Sequence, residues 1–230
     1  MAIPMIAVTN ASTCLTDAQV EAVLPALQKQ VTDDFRAYWD LDCTLVFGAR
    51  NQQLAKGWWQ IVVLDNPDQA GVLGYHEISS QGTPLGKVFA KLDISNGTSW
   101  TVTLSHELLE MLADPWTNWC AVAIDNQIYA LEVADPVEAD ELGYEIDGVR
   151  VSDFITPAWF EPTEADRLDF KHRLSKQLEI APGGYISVLD PRKGWIQLTA
   201  EGEGGPKAVV GSRRWRRKFG RNLRKASAAG

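Results

Sequence analysis

Residues 98–113 are apolar around most of a helical circumference and polar along one narrow seam, which constrains the fold more than any other stretch of the 230-residue chain. At 3.6 residues per turn, Leu104, Leu108, Met111 and Leu112 cover one side, while Thr103, His106, Glu107 and Glu110 align on another. Such a helix belongs in an interior, with its seam turned to other polar groups, and Asp114-Pro115 stops it. The rest of the chain has to be built around it.

The flanking sequence supplies a small mixed sheet and a second helix. Thr16-Asp17-Ala18-Gln19 has the form of a capping box, and Val20, Val23, Leu24, Leu27, Val31, Phe35 and Tyr38 repeat at helical spacing to about Trp39. Pro25 predicts a kink or restart within that helix. Residues 5–9, 43–47, 58–64 and 86–92 read as strands, with 71–86, holding four glycines and a proline, as a long loop carrying Tyr75 and His76. Further strands are expected at 127–133 and 149–154. A helix is expected at 163–178, and a hairpin at 185–198 turning on Asp190-Pro191-Arg192-Lys193-Gly194. The fold class is therefore α+β: a mixed sheet packed on a kinked N-terminal helix and a motif-bearing helix, then a C-terminal helix and hairpin. One domain covers 1–200, a flexible Gly-rich linker 201–210, and a basic amphipathic tail 211–230.

His106 and Glu110 are four residues apart, so their side chains lie over one another and can close on one ion, with Glu107 beside it. That is the HExxH geometry with the second His replaced by Glu, and the segment resembles the motif helix of zincin metallopeptidases. The resemblance implies an edge strand directly before the motif helix, here 86–92, that aligns an extended substrate. A closer similarity is to the HELxE…DP…ExxD pattern of exordium-like phosphate-induced proteins and of bacterial and phage proteins. Here it reads His106-Glu107-Leu108-Leu109-Glu110, Ala113-Asp114-Pro115 and Glu132-Val133-Ala134-Asp135.

This similarity implies that the second acidic element returns to the metal, with Glu132 and Asp135 as equal candidates for the third ligand. Asp114 lies about 12 Å along a continuous helix from His106 and fits better as the fixer of the Pro115 turn. The implied function is a zinc-dependent hydrolase of peptides or proteins, with Glu107 as general base on water activated by the metal. Glu110 in place of His lowers the metal's electrophilicity. The alternative is a non-catalytic assembly protein, such as one of a phage virion, holding a structural metal.

Glu132, Asp135, Glu138, Asp140, Glu141, Glu145 and Asp147 fall within sixteen residues free of Lys and Arg, a composition that also suits Ca²⁺, although the EF-hand spacing is absent. For most of them a solvated acidic loop is the expectation, and His76 and His172 are expected outside the metal site. Nine Trp residues are expected mainly in the core. Cys14, Cys43 and Cys120 are too few for a disulfide framework, and neither a signal peptide nor a membrane-spanning run is seen, so a cytoplasmic or virion-associated protein is expected. The body carries 30 acidic residues against fourteen basic ones, which excludes it as a nucleic-acid surface. Arg213, Arg214, Arg216, Arg217, Lys218, Arg221, Arg224 and Lys225 concentrate the opposite charge in the tail, which is expected to bind nucleic acid or another anionic surface.

Overall fold

The computed structural model describes residues 3–50, 52–68, 72–163, 167–200 and 207–208. Strand β1 (Met5–Asn10) leads into helix α1 (Asp17–Lys29), whose start is fixed by a complete capping box between Thr16 and Gln19. A π-helical segment, Gln30–Phe35, continues it into the short α2 (Arg36–Trp39). Strands β2 (Thr44–Gly48), β3 (Trp59–Leu64), β4 (Gly74–Ile78) and β5 (Pro84–Phe89) complete the first sheet, in the order β2-β1-β3-β5-β4. All neighbours in it are parallel except β4, which runs antiparallel to β5 at the end of the sheet.

Helices α3 (Ala90–Asn96) and α4 (Trp100–Ala113) follow, and α4 lies against β4 and β5. Leu104, Leu108, Leu109 and Met111 are fully buried there with Ile6, Val8, Ile61 and Val88 of the sheet. Short strands β6 (Cys120–Val122) and β7 (Ile128–Ala130) and the hairpin β8 (Tyr144–Ile146) and β9 (Val149–Val151) come next. Strands β10 (Tyr185–Asp190), β11 (Gly194–Thr199) and β12 (Lys207–Ala208) join β7 and β6 in a second sheet, antiparallel throughout. The molecule is thus mixed α and β, and among the described residues no helix is long and apolar enough to cross a membrane.

Several expectations are corrected. The strand before the motif helices, β5, is internal, and the end strand is β4, formed by residues expected to be loop. Gly74 opens β4 and Gly82, at φ 83°, sits in the tight turn to β5, which Ser79 Oγ closes by accepting the Thr83 N–H, so these glycines belong to a hairpin and not to an open loop. Helix α1 runs through Pro25 and changes character only at Gln30; Glu21 and Pro25 are both exposed, so the missing hydrogen bond falls on the solvent side of the helix.

No helix forms over the described part of residues 163–178. Asp169 captures the backbone N–H groups of Arg173 and Leu174 with its carboxylate, its backbone bridges to Ile155, and Phe170 stacks on Phe154. Local side-chain capture together with ring stacking outweighs a helical pattern that carried few apolar residues. Within the expected linker, Lys207 and Ala208 pair with β11; the remainder of 201–210 and the whole tail lie outside the described residues.

Asp153 is fully buried beside Asp169, with Oδ1 accepting from the Phe154 N–H at 2.8 Å and Oδ2 3.6 Å from Arg173 Nε. Burial and then the neighbouring Asp169 push its pKa up to about 8. Between pH 4 and 8 the native state therefore holds a proton that the unfolded chain releases, so this group's contribution is complete below pH 4 and fades as pH rises toward 8. Asp153→Asn keeps the Oδ1 acceptor and removes the ionisation. Denaturant unfolding from pH 5 to 8 should show stability falling less steeply in this variant than in wild type, and equal slopes would refute the assignment.

Candidate metal centre

The position of the seam on α4 is set from behind. Ser105 donates to Gln30 Oε1 at 2.7 Å and accepts from the Ser152 N–H at 3.0 Å, while Gln30 Nε2 donates to the Ser152 carbonyl at 2.8 Å. These buried polar groups satisfy one another and fix the rotation of α4, because Ser105 immediately precedes His106. The far end is closed by Asp114, whose Oδ1 accepts from the Asn118 and Trp119 N–H groups, the turn-fixing role expected of it.

With that rotation fixed, His106 Nε2 stands 3.4 Å from Glu110 Oε1 and 3.3 Å from Asp135 Oδ1. Charge-assisted N–H···O hydrogen bonds close to about 2.7–2.9 Å. Donor atoms around a tetrahedral ion with bonds of ~2.0–2.1 Å are about 3.3–3.4 Å apart, which is the spacing seen. Asp135 arrives on a short 3₁₀ turn, Asp135–Val137, after β7, and Ala134 N–H donates to Glu110 Oε1 at 3.4 Å. Gly184 permits this approach: a Cβ there would stand 2.5 Å from the Pro136 carbonyl oxygen.

Glu132 also reaches α4, but on the other side. Its carboxylate groups with His76 and Glu110, while Asp135 groups with His106 and Glu138, each set having donor atoms within 4.8 Å of one another. The two candidates for a third ligand therefore belong to different clusters. Buried His, Glu and Asp groups of this kind could hold a metal ion. Glu107, 4% exposed, borders a cleft of about 460 Å³ together with His106, Glu138, Tyr185 and residues 72–74.

The electrostatics describe a cluster short of positive charge. Burial works against a charged His106, yet Glu110 and Asp135 overcome it and hold the imidazole well above its usual range. Burial, with Asp135 close by, raises Glu110, and burial followed by Asp135 raises Glu138 to about 8. Tyr185 is raised by burial and the same carboxylates.

His76 and Glu138 are the residues that sequence reasoning placed elsewhere. His76 is fully buried on β4, and Glu138 turns inward from the acidic run. No alternation marks Tyr75-His76-Glu77-Ile78 as a strand, and nothing local distinguishes Glu138 from its neighbours. The acidic run does not form one oxygen cage among the described residues. Asp140 accepts from the Ser99 N–H and Glu145 and Asp147 are exposed, Asp147 pairing with Lys29. His172 is exposed, as expected, and Trp159 is core, whereas Trp116 and Trp119 are 38% and 39% exposed. The eight basic tail residues lie outside the described residues. Comparison with protein-family models, curated proteins and solved structures finds no match to this chain.

Gly74 is the point where β4 meets the seam. A Cβ there would come within 2.7 Å of Glu107 Oε1 and 2.8 Å of Thr103 Cγ2. Gly74→Ala should therefore cost about 1–3 kcal/mol of stability through overpacking. Unfolding of this variant at the wild-type midpoint would show that Glu107 does not lie against the strand.

Proposed function

We propose that this chain is a zincin-like, zinc-dependent hydrolase of peptide bonds, with His106, Glu110 and Asp135 as the metal ligands. The observation that carries the reading is the spacing at His106 Nε2, where two carboxylate oxygens stand at 3.4 and 3.3 Å, the separation of ligand atoms around a tetrahedral ion. One imidazole and two carboxylates suit zinc among the divalent first-row metals. When bound, the cation supplies Lewis acidity, polarising a carbonyl and acidifying water.

The protein's own groups divide the remaining work. His106 retains 11% side-chain exposure at the cleft, while Glu110 is nearly closed off at 3%, so the cluster opens toward substrate on the His106 side. Glu107, rotated ~100° around the helix from His106, lines the same cleft and takes the proton of the attacking water. Residues 72–74, entering the end strand β4, border the cleft and offer backbone groups to an extended peptide. That edge favours a peptide over a compact small substrate.

Glu107→Gln keeps shape and removes the base. The variant should retain zinc and melting temperature yet lose cleavage of an unstructured peptide library by roughly 10²-fold or more. Asp135→Asn should lose zinc affinity and activity together. Equal hydrolysis by wild type and Glu107→Gln would defeat the mechanism.

A further inference from the structure

Beside the site just proposed lies a second, more deeply buried one, and we infer that the cluster takes two divalent transition-metal ions, the second held by His76, Glu110 and Glu132. The inference extends the reading of His106 as a metal ligand and shares Glu110 with it. Its first support is the orientation of His76. Nε2 lies 3.1 Å from the Asp114 backbone carbonyl, which can only accept, so Nε2 donates to it and Nδ1 is the nitrogen turned toward the carboxylates. A backbone carbonyl holding the distal ring nitrogen in this way is the usual arrangement behind a metal-binding imidazole.

The second support is spacing. His76 Nδ1 stands 3.6 Å from Glu107 Oε2 and 3.9 Å from Glu110 Oε2. Neither distance is a hydrogen bond, and His76, Glu110 and Glu132 bring one donor atom each within 4.8 Å of one another, a spacing that leaves room for one ion among them. Glu107 Oε2 is itself buried without a hydrogen-bond partner among the described residues, and it faces this position. Oε1 of Glu110 is turned to His106 and Oε2 to His76, so one carboxylate presents a separate oxygen to each imidazole, as a bridging ligand does.

The third support is charge. Glu107, Glu110, Glu132 and Asp135 are 4%, 2%, 3% and 3% exposed, and buried carboxylates persist in ionised form only when neutralised. One divalent cation offsets half of their formal charge, and a second offsets the rest. A second ion on the Oε2 side would leave Oε1, on the Gly74 side, for the proton transfer proposed above.

The test is zinc stoichiometry on the full chain, stripped with chelator, reloaded, desalted and measured by elemental analysis and calorimetric titration. Two zinc ions per chain are expected, falling to one in His76→Gln and to one in His106→Gln. Glu110→Gln should weaken both. A wild-type stoichiometry of one, unchanged in His76→Gln and lost in His106→Gln, would overturn the second site and leave the proposed hydrolase standing. No zinc uptake by wild type would overturn both. The wild-type count does not depend on any variant folding.

Discussion

Four carboxylates buried together in an apolar interior are the constraint to which the rest of this structure answers. Glu107, Glu110, Glu132 and Asp135 lie within a shell that includes Leu104, Leu108, Val133 and Val137, each almost wholly buried. Like charges so placed repel one another and lose their hydration, and among the described residues the imidazoles of His76 and His106 stand beside them. The raised pKa values of Glu110 and Glu138, due first to burial, express that imbalance. A bound cation would relieve it and would couple metal binding to the folding of this region.

The scaffold spends its buried hydrogen bonds on keeping the cluster in register. On one side the Gln30–Ser105–Ser152 network ties the π-helical segment, α4 and the end of β9 together. A π-helical segment widens the turn locally, and here it carries Gln30 into the interior between α4 and β9. On the other side the Asp114 carbonyl at the end of α4, which also accepts the Thr117 N–H, takes the His76 N–H, so the helix terminus aligns a residue of the sheet. Two glycines complete the fit, Gly74 against Glu107 and Gly184 against Pro136.

In the zincin-like reading proposed above, Glu110 in the place of a second His has a physical meaning. An imidazole would present one nitrogen to one ion, whereas Glu110 turns one oxygen toward His106 and the other toward His76. The cost in that reading would be a less electrophilic metal at His106, since each carboxylate donates negative charge that a neutral imidazole does not. The proposed second ion offsets part of that cost.

The sequence by itself determined the elements whose signals are local. The α4 helix and its seam followed from a 3.6-residue period, the start of α1 from the Thr16–Gln19 box, and the β10–β11 hairpin from its Asp-Pro turn. His106, Glu107 and Glu110 were legible for the same reason, because i and i+4 on one helix are neighbours in any fold that keeps the helix. Tertiary structure alone decided what crosses the chain: that Asp135 meets His106 while Glu132 turns to His76, and that His76 comes from a strand thirty residues upstream. It also decided that residues 167–178 follow Phe154 and not a helical pattern. A carboxylate's partner across a sheet is fixed by register and packing, and neither leaves a period in the sequence that could be read beforehand.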